Sequence, residues 1–284
     1  MTSLAGTGET KATQLLPPPP MVDLEASFSL YQPTEEDTTS LSEFLTTYPE
    51  HQHIAPGKVL RFLRARKYKP DQANDMLNNH LEWCRKWLPN QVKQEDVNEK
   101  AMLSGCWRYL GKGSHGYPVA WVQTKYWNPH DYSKDEYETY VAYFSAMLER
   151  QMTSQTQHVI VFDMSGWAFW HGSYLSYIKR LIDIAQNQYP ERLFRVLMIN
   201  SPFLFRASWV VIKPWLDPVT ASKVVFVSGV EQITKEFDDI EFPRERLITR
   251  YGGTIEDEDT ILIPGFPSTE LLDEETENTT TCTL

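Results

Sequence analysis

Residues 190–223 read PERLFRVLMINSPFLFRASWVVIKPWLDPVTASK, and this stretch decides the fold. Glu191 stands just before a β-type run at 195–200. Lys223 opens a second run that continues over 224–227. The segment between them is too rich in Phe and Trp for an ordinary surface helix, and it returns through Pro214 and Pro218. A helix that is apolar almost all round is either wholly buried or spends time against lipid.

Working outward, short apolar runs at 118–124, 158–163, 195–200 and 223–227 read as strands. Helical stripes separate the first three. One is Tyr137, Tyr140, Val141, Phe144, Met147 and Leu148; the other is Tyr174, Leu175, Ile178, Leu181, Ile182 and Ala185. Strands alternating with helices predict an α/β fold with a mostly parallel sheet. Upstream the pattern is purely helical, with helices expected over 34–48, 57–66 and, starting at Pro70, 70–88. The chain therefore divides into a disordered leader at 1–34, a helical lobe at 35–100, an α/β lobe at 101–253 and an acidic tail at 254–284.

Charge is distributed unevenly. Of a net −11, residues 1–50 hold one Lys and eight acids, and 254–284 hold nine acids and no base. The stretch 51–253 is therefore mildly basic, at +5. A basic core suits an anionic membrane surface, while acidic ends also serve solubility. Without an 18-residue apolar run, a secretory signal or a cysteine framework (Cys84, Cys106, Cys282), a cytoplasmic setting is expected.

Several motifs with catalytic or ligand-binding echoes read as structural. GKGSHG at 111–116 matches GxGxxG, but a strand follows it where a dinucleotide site needs a helix, so a turn between strands is expected. Asp163, His171 and nearby serines make a triad only on paper, and Asp163 is expected to cap the turn that follows it. His51 and His53 lack partners at metal-ligand spacing. No catalytic set, metal or nucleic-acid site is expected.

Five stretches, four of them within or overlapping 190–223, carry a resemblance to a known family. These are LRFLRARKY at 60–68, YPER at 189–192, INSP at 199–202, KPWLDP at 213–218 and SK at 222–223. In this order they resemble the Sec14-like CRAL-TRIO phospholipid transfer proteins over residues 55–253. The resemblance implies a helical lobe followed by a lipid-binding lobe, in which helices on one side of the sheet enclose an apolar pocket closed by a helical gate. The gate falls near residues 203–215, with Phe203, Phe205, Trp209, Ile212 and Trp215 as pocket or gate residues. Positions matching the phosphatidylinositol head-group site are Arg66, Lys67, Glu191, Asp217, Thr220 and Lys223. Cations suit the phosphodiester; carboxylates and a hydroxyl suit the inositol hydroxyls. A Glu191–Lys223 ion pair is expected beside them.

One departure stands out. Relatives that hold phosphatidylcholine use two hydroxyl side chains where this chain has His158 and Ile160. Phosphatidylcholine is therefore not expected, and any second ligand is open: a sterol, haem, another apolar molecule, or none. His158 is read as a ligand contact, an iron ligand or a hydrogen-bonded core residue.

The resulting expectation is a monomeric, non-enzymatic carrier. It takes phosphatidylinositol from anionic cytosolic membranes and presents it, with a phosphoinositide kinase as a candidate partner; phospholipid is the ligand and no cofactor is expected. The alternatives are a carrier of another apolar ligand in the same fold and a lipid-regulated membrane adaptor.

Overall fold

The computed structural model describes residues 33–87, 94–114, 116–152 and 157–254. The leader expected at 1–34 therefore lies almost wholly outside the described residues, and so does the acidic tail beyond 254.

Three helices build the N-terminal lobe: α1 (Glu35–Thr47), α2 (Pro56–Ala65) and α3 (Pro70–Lys86). Each start has a local cause. A capping box of Thr34 and Asp37 opens α1, whereas Pro56 and Pro70, which lack an N–H, occupy the first position of α2 and α3. Phe44, Leu60, Phe62, Leu63, Met76 and Leu77 meet in the lobe's own core.

The short helix α4 (Glu99–Leu103) leads into a five-stranded sheet. Its strands are β1 (Trp107–Lys112), β2 (Pro118–Gln123), β3 (His158–Asp163), β4 (Leu193–Ile199) and β5 (Val224–Val227). They lie in chain order, β1 antiparallel to β2 and the rest parallel. The crossovers carry α5 (Lys134–Arg150), α6 (Leu175–Gln188), and α7 (Phe205–Ile212) with α8 (Pro218–Ser222). The last α-helix among the described residues is α9 (Val230–Asp239).

Alternation along the strands sorts side chains onto two faces. Val119, Trp121, Val159, Val161, Leu197 and Ile199 pack under α9 against Ile233 and Phe237. Ala120, Val122, Ile160, Phe162, Val196 and Met198 face α5, α6 and α7. The strand bounds agree with the sequence reading to within two residues. The edge strand β1 supplies the run expected before the glycine turn, and helix α9, which the reading did not place, is added.

The GxGxxG stretch starts in β1, and its second and third glycines, Gly113 and Gly116, lie in the β1–β2 hairpin turn. Gly113 N–H donates to the Tyr117 carbonyl at 3.1 Å. A Cβ at Gly113 would lie 2.4 Å from the Ile240 carbonyl oxygen, so only glycine admits this backbone approach. As expected, Asp163 caps the turn after β3, accepting from Ser165 N–H at 3.0 Å and its hydroxyl at 2.7 Å. Its carboxylate also receives Asn200 at 2.9 Å and Arg250 at 2.5 Å. His171 is occupied elsewhere: its Nδ1 accepts from Ala168 N–H at 2.8 Å, and its ring stacks on Trp170. His51 Nε2 meets Asn74 Oδ1 at 2.8 Å.

A buried charged cluster joins the two lobes. Glu149 on α5 lies between Arg61 on α2, at 3.3 Å, and Arg192, which donates through Nε at 3.0 Å and also through Nη2. The two guanidinium groups outweigh the burial that opposes ionisation and hold the Glu149 carboxyl down at about 2. Beside it, the edge of Trp83 on α3 meets the Tyr189 ring.

Candidate functional site

Between the α5–α6–α7 face of the sheet and the helices lies a cavity of about 700 Å³. That volume is in the range of a site for one small ligand. Its interior wall is apolar, built from Ala120, Val122, Ile160 and Met198 of the sheet, Phe144 of α5 and Ile182 of α6.

Polar groups gather at one end, where β3, β4 and β5 begin. All six head-group candidates, Arg66, Lys67, Glu191, Asp217, Thr220 and Lys223, line the cavity. They come from three places: the turn after α2, the turn into β4, and α8 with its two caps.

The first place is held by Asp37, a fully buried carboxylate that sequence reasoning missed. Arg64 donates Nε to Oδ1 at 2.8 Å and Nη2 to Oδ2 at 2.7 Å, and the Tyr68 hydroxyl donates to Oδ1 at 2.7 Å. Between these two clamps, Lys67 and Tyr68 take the left-handed conformation, with φ of 51° and 56°. Such backbone is costly for residues with a side chain and persists only where its surroundings fix it. Arg64 itself lines the cavity.

Glu191, at φ 59°, is also left-handed. Gln157 Nε2 donates to its carbonyl at 3.1 Å, and the next residue, Arg192, is locked on Glu149. In the third place, Asp217 caps α8, accepting from the N–H groups of Val219 and Thr220 at 2.9 Å and from the Thr220 hydroxyl. Its carboxylate therefore holds Thr220 in position. Gln186 of α6 clasps the preceding turn, accepting from Asp217 N–H at 2.8 Å and donating to the Trp215 carbonyl at 3.0 Å.

The expected Glu191–Lys223 ion pair is not among the ion pairs of the described residues. Lys223 Nζ instead donates to the Leu193 carbonyl at 2.6 Å. A strand-end carbonyl lies in reach of the short span between α8 and β5, and one bond there leaves the ammonium two further donors.

The apolar segment after β4 is divided between the cavity and the surface. Phe205, Trp209 and Ile212 of α7 point into the cavity, followed by Trp215. Phe203 does not line it; that side chain is 76% exposed, under the Arg206 guanidinium. Val210 is 73% exposed and Val211 is exposed as well, so a wholly buried helix is excluded. The turn before α6 abuts α7, with Trp167 edge-on to Phe205 at 5.0 Å, and bears Phe169, 86% exposed. Sequence reasoning missed Phe169, although an FW pair ahead of a helix was a visible signal.

His158, Ile160 and Phe162 line the cavity from β3. His158 is buried, and its Nδ1 has no hydrogen-bond partner among the described residues, contrary to the core-histidine reading. Burial, reinforced by Arg192 and Lys223, pushes its pKa down to about 4.

The family profile described as CRAL/TRIO domain matches residues 104–253. The SEC14 cytosolic factor of Candida glabrata is 30% identical over 222 residues, which cover 72% of each chain. The phosphatidylinositol transfer protein CSR1 of Eremothecium gossypii is 29% identical over 76% of this chain, which spans about half of that longer protein. The crystal structure of Sfh5 superposes with a TM-score of 0.65, covering 86% of this chain and 98% of that one; at 14% identity this speaks for the fold alone.

Proposed function

Because the chain belongs to the CRAL/TRIO family of Sec14-like lipid-binding and transfer proteins, we propose that its cargo is phosphatidylinositol. One observation carries this reading: Arg66, Lys67, Glu191, Thr220 and Lys223 all line a cavity whose walls are otherwise mostly apolar. The ammonium and guanidinium groups take the phosphodiester; Glu191 and Thr220 bond inositol hydroxyls. The acyl chains lie along the apolar wall, each buried methylene contributing about 0.8 kcal/mol. Head-group contacts then set which phospholipid is taken.

Loading proceeds through α7. Its inner face closes the cavity, and its outer face, with Phe203 and Phe169, rests on the bilayer during exchange. Among the described residues no helix is long and apolar enough to cross a membrane, which suits a carrier that visits its surface from the cytosol. The Candida relative is a cytosolic factor by name, which supports that setting.

The test is transfer of fluorescent phosphatidylinositol between vesicle populations. The purified chain should accelerate it well above the spontaneous rate; a rate equal to that of protein-free vesicles refutes the reading.

A further inference from the structure

We propose that the chain's own acidic C-terminal segment docks on β5: residues 260–264 add a sixth, antiparallel strand, and the acids that follow compete with anionic lipid for the cations beside it. The strand addition does not depend on which lipid the cavity carries; its effect on membrane binding rests on the proposed carrier function.

The argument starts from an open sheet edge. Among the described residues β5 pairs with β4 alone. The Val196 N–H donates to the Lys223 carbonyl at 2.9 Å, so alternation turns the N–H and C=O groups of Val224 and Phe226 away from β4. Such a row of backbone groups is a template for another strand. The opposite edge, β1, is blunted by a register break between Tyr109 and Gly111 and by Lys112. In contrast, β5 reads VVFV, with neither a charge nor a proline. Phe226 is 46% exposed, and Val219 before it and Val230 after it are exposed as well.

The occupant follows from where the described chain ends. Asn200, the residue after β4, donates to the Tyr251 hydroxyl at 2.6 Å, and Arg250 reaches Asp163 at the end of β3. Residues 250–251 therefore lie at the carboxyl ends of the parallel strands, beside β5's neighbour. Thirty residues follow Thr254 in the sequence. The first six, fully extended, span roughly 20 Å, about four strand spacings, so Thr260 comes within reach of the end of β5. A strand that enters from that end runs antiparallel to β5. Ile261, Leu262 and Ile263 offer apolar side chains to both faces of the sheet edge, and Pro264 stops the pairing.

Charge complements this placement. Continuing antiparallel, the segment passes the start of β5, where Lys223 stands, and carries Glu270, Asp273, Glu274 and Glu275 onward. Lys223 lines the cavity together with Arg66 and Lys67. Residues 254–284 hold nine acids and no base, against +5 over 51–253. The docked carboxylates therefore pair with cations that an anionic lipid would otherwise occupy.

The experiment follows amide exchange at Val224 and Phe226 by NMR in the full chain, with Ile261→Pro/Ile263→Pro as the comparison. Proline removes the donors that the added strand needs. The two amides should be protected in wild type and should exchange roughly tenfold faster in the variant. Sedimentation with phosphatidylserine–phosphatidylcholine vesicles should show the variant binding more tightly. Should that variant fail to fold, Ile261→Asp/Ile263→Asp serves in its place. Protection unchanged in the variant overturns the docking, and vesicle binding unchanged overturns the competition. Protection that rises with protein concentration would assign the edge to a second copy of the chain and likewise overturn the proposal. Lost protection in a variant that transfers no phosphatidylinositol would sink the phospholipid reading and leave the strand addition standing.

Discussion

Asp37 and Arg64, 27 residues apart, form a two-pronged pair, Nε to Oδ1 at 2.8 Å and Nη2 to Oδ2 at 2.7 Å. The pair ties the start of α1 to the turn that carries Arg66 and Lys67 to the cavity. Asp37 is fully buried and Arg64 largely so. Asp37→Ala should therefore destabilise the fold by about 3–5 kcal/mol, because it strands a desolvated guanidinium. Urea unfolding measures the loss. The surviving folded fraction should also transfer phosphatidylinositol more slowly, since the left-handed turn at 67–68 loses its clamp. Unchanged stability would mean the pair contributes nothing beyond geometry.

Lys223→Ala removes the bond to the Leu193 carbonyl and, on the proposed phosphatidylinositol reading, one charged hydrogen bond to the head group. Charged hydrogen bonds contribute about 1.5–3 kcal/mol, so binding should weaken roughly tenfold to a hundredfold. The thermal midpoint should move little, because the side chain is only half-buried. Equal transfer by a folded Lys223→Ala protein would remove this residue from the site.

Membrane contact through α7 predicts a different separation of effects. Phe203→Asp and Val210→Asp alter exposed side chains, so stability should hold within about 0.5 kcal/mol. Sedimentation with anionic vesicles should fall, and transfer with it. Vesicle binding that survives both substitutions would place the membrane face elsewhere.

Acid should weaken the fold through two histidines held neutral. Burial is the main force depressing His80, to about 3, and His158, to about 4. The unfolded chain takes up these protons near pH 6.5, before the folded chain does. Stability is therefore full above pH 6.5 and declines as pH falls toward 4 and then 3. Glu149, held at about 2, adds to the loss below pH 4.5. Denaturant midpoints between pH 7.5 and 4 should drop steadily, and His158→Leu should flatten part of the slope. A midpoint independent of pH over that range would contradict the assigned protonation states.

How much of this was legible depended on the range of the interaction. Periodicity and proline fixed α2, α3 and the strands β2 to β5, because these signals lie within a few residues. Helix α9 was equally local, with Val230, Ile233 and Phe237 at helical spacing, and could have been read. Strand β1 was legible only through the glycine turn that follows it: its Arg108, Gly111 and Lys112 weaken the apolar pattern, and pairing with β2 sets its bounds. The cavity's polar end was legible residue by residue, but its supports were not. Asp37 with Arg64, Glu149 with Arg192 and Gln186 with Asp217 join residues 27 to 43 apart. The expected Glu191–Lys223 pair failed for a related reason. Charge complementarity suggested it, whereas backbone geometry put the Leu193 carbonyl nearer to the ammonium.

If phosphatidylinositol is the cargo of the cavity, a lipid inventory of the protein itself reveals it. The purified chain would be incubated with vesicles of mixed phosphatidylinositol and phosphatidylcholine, re-isolated, extracted and analysed by mass spectrometry. Phosphatidylinositol is expected at close to one molecule per chain, enriched over its share in the vesicles, with little phosphatidylcholine. Phosphatidylcholine as the retained lipid, or no phospholipid above the level of a non-binding control protein, would contradict it.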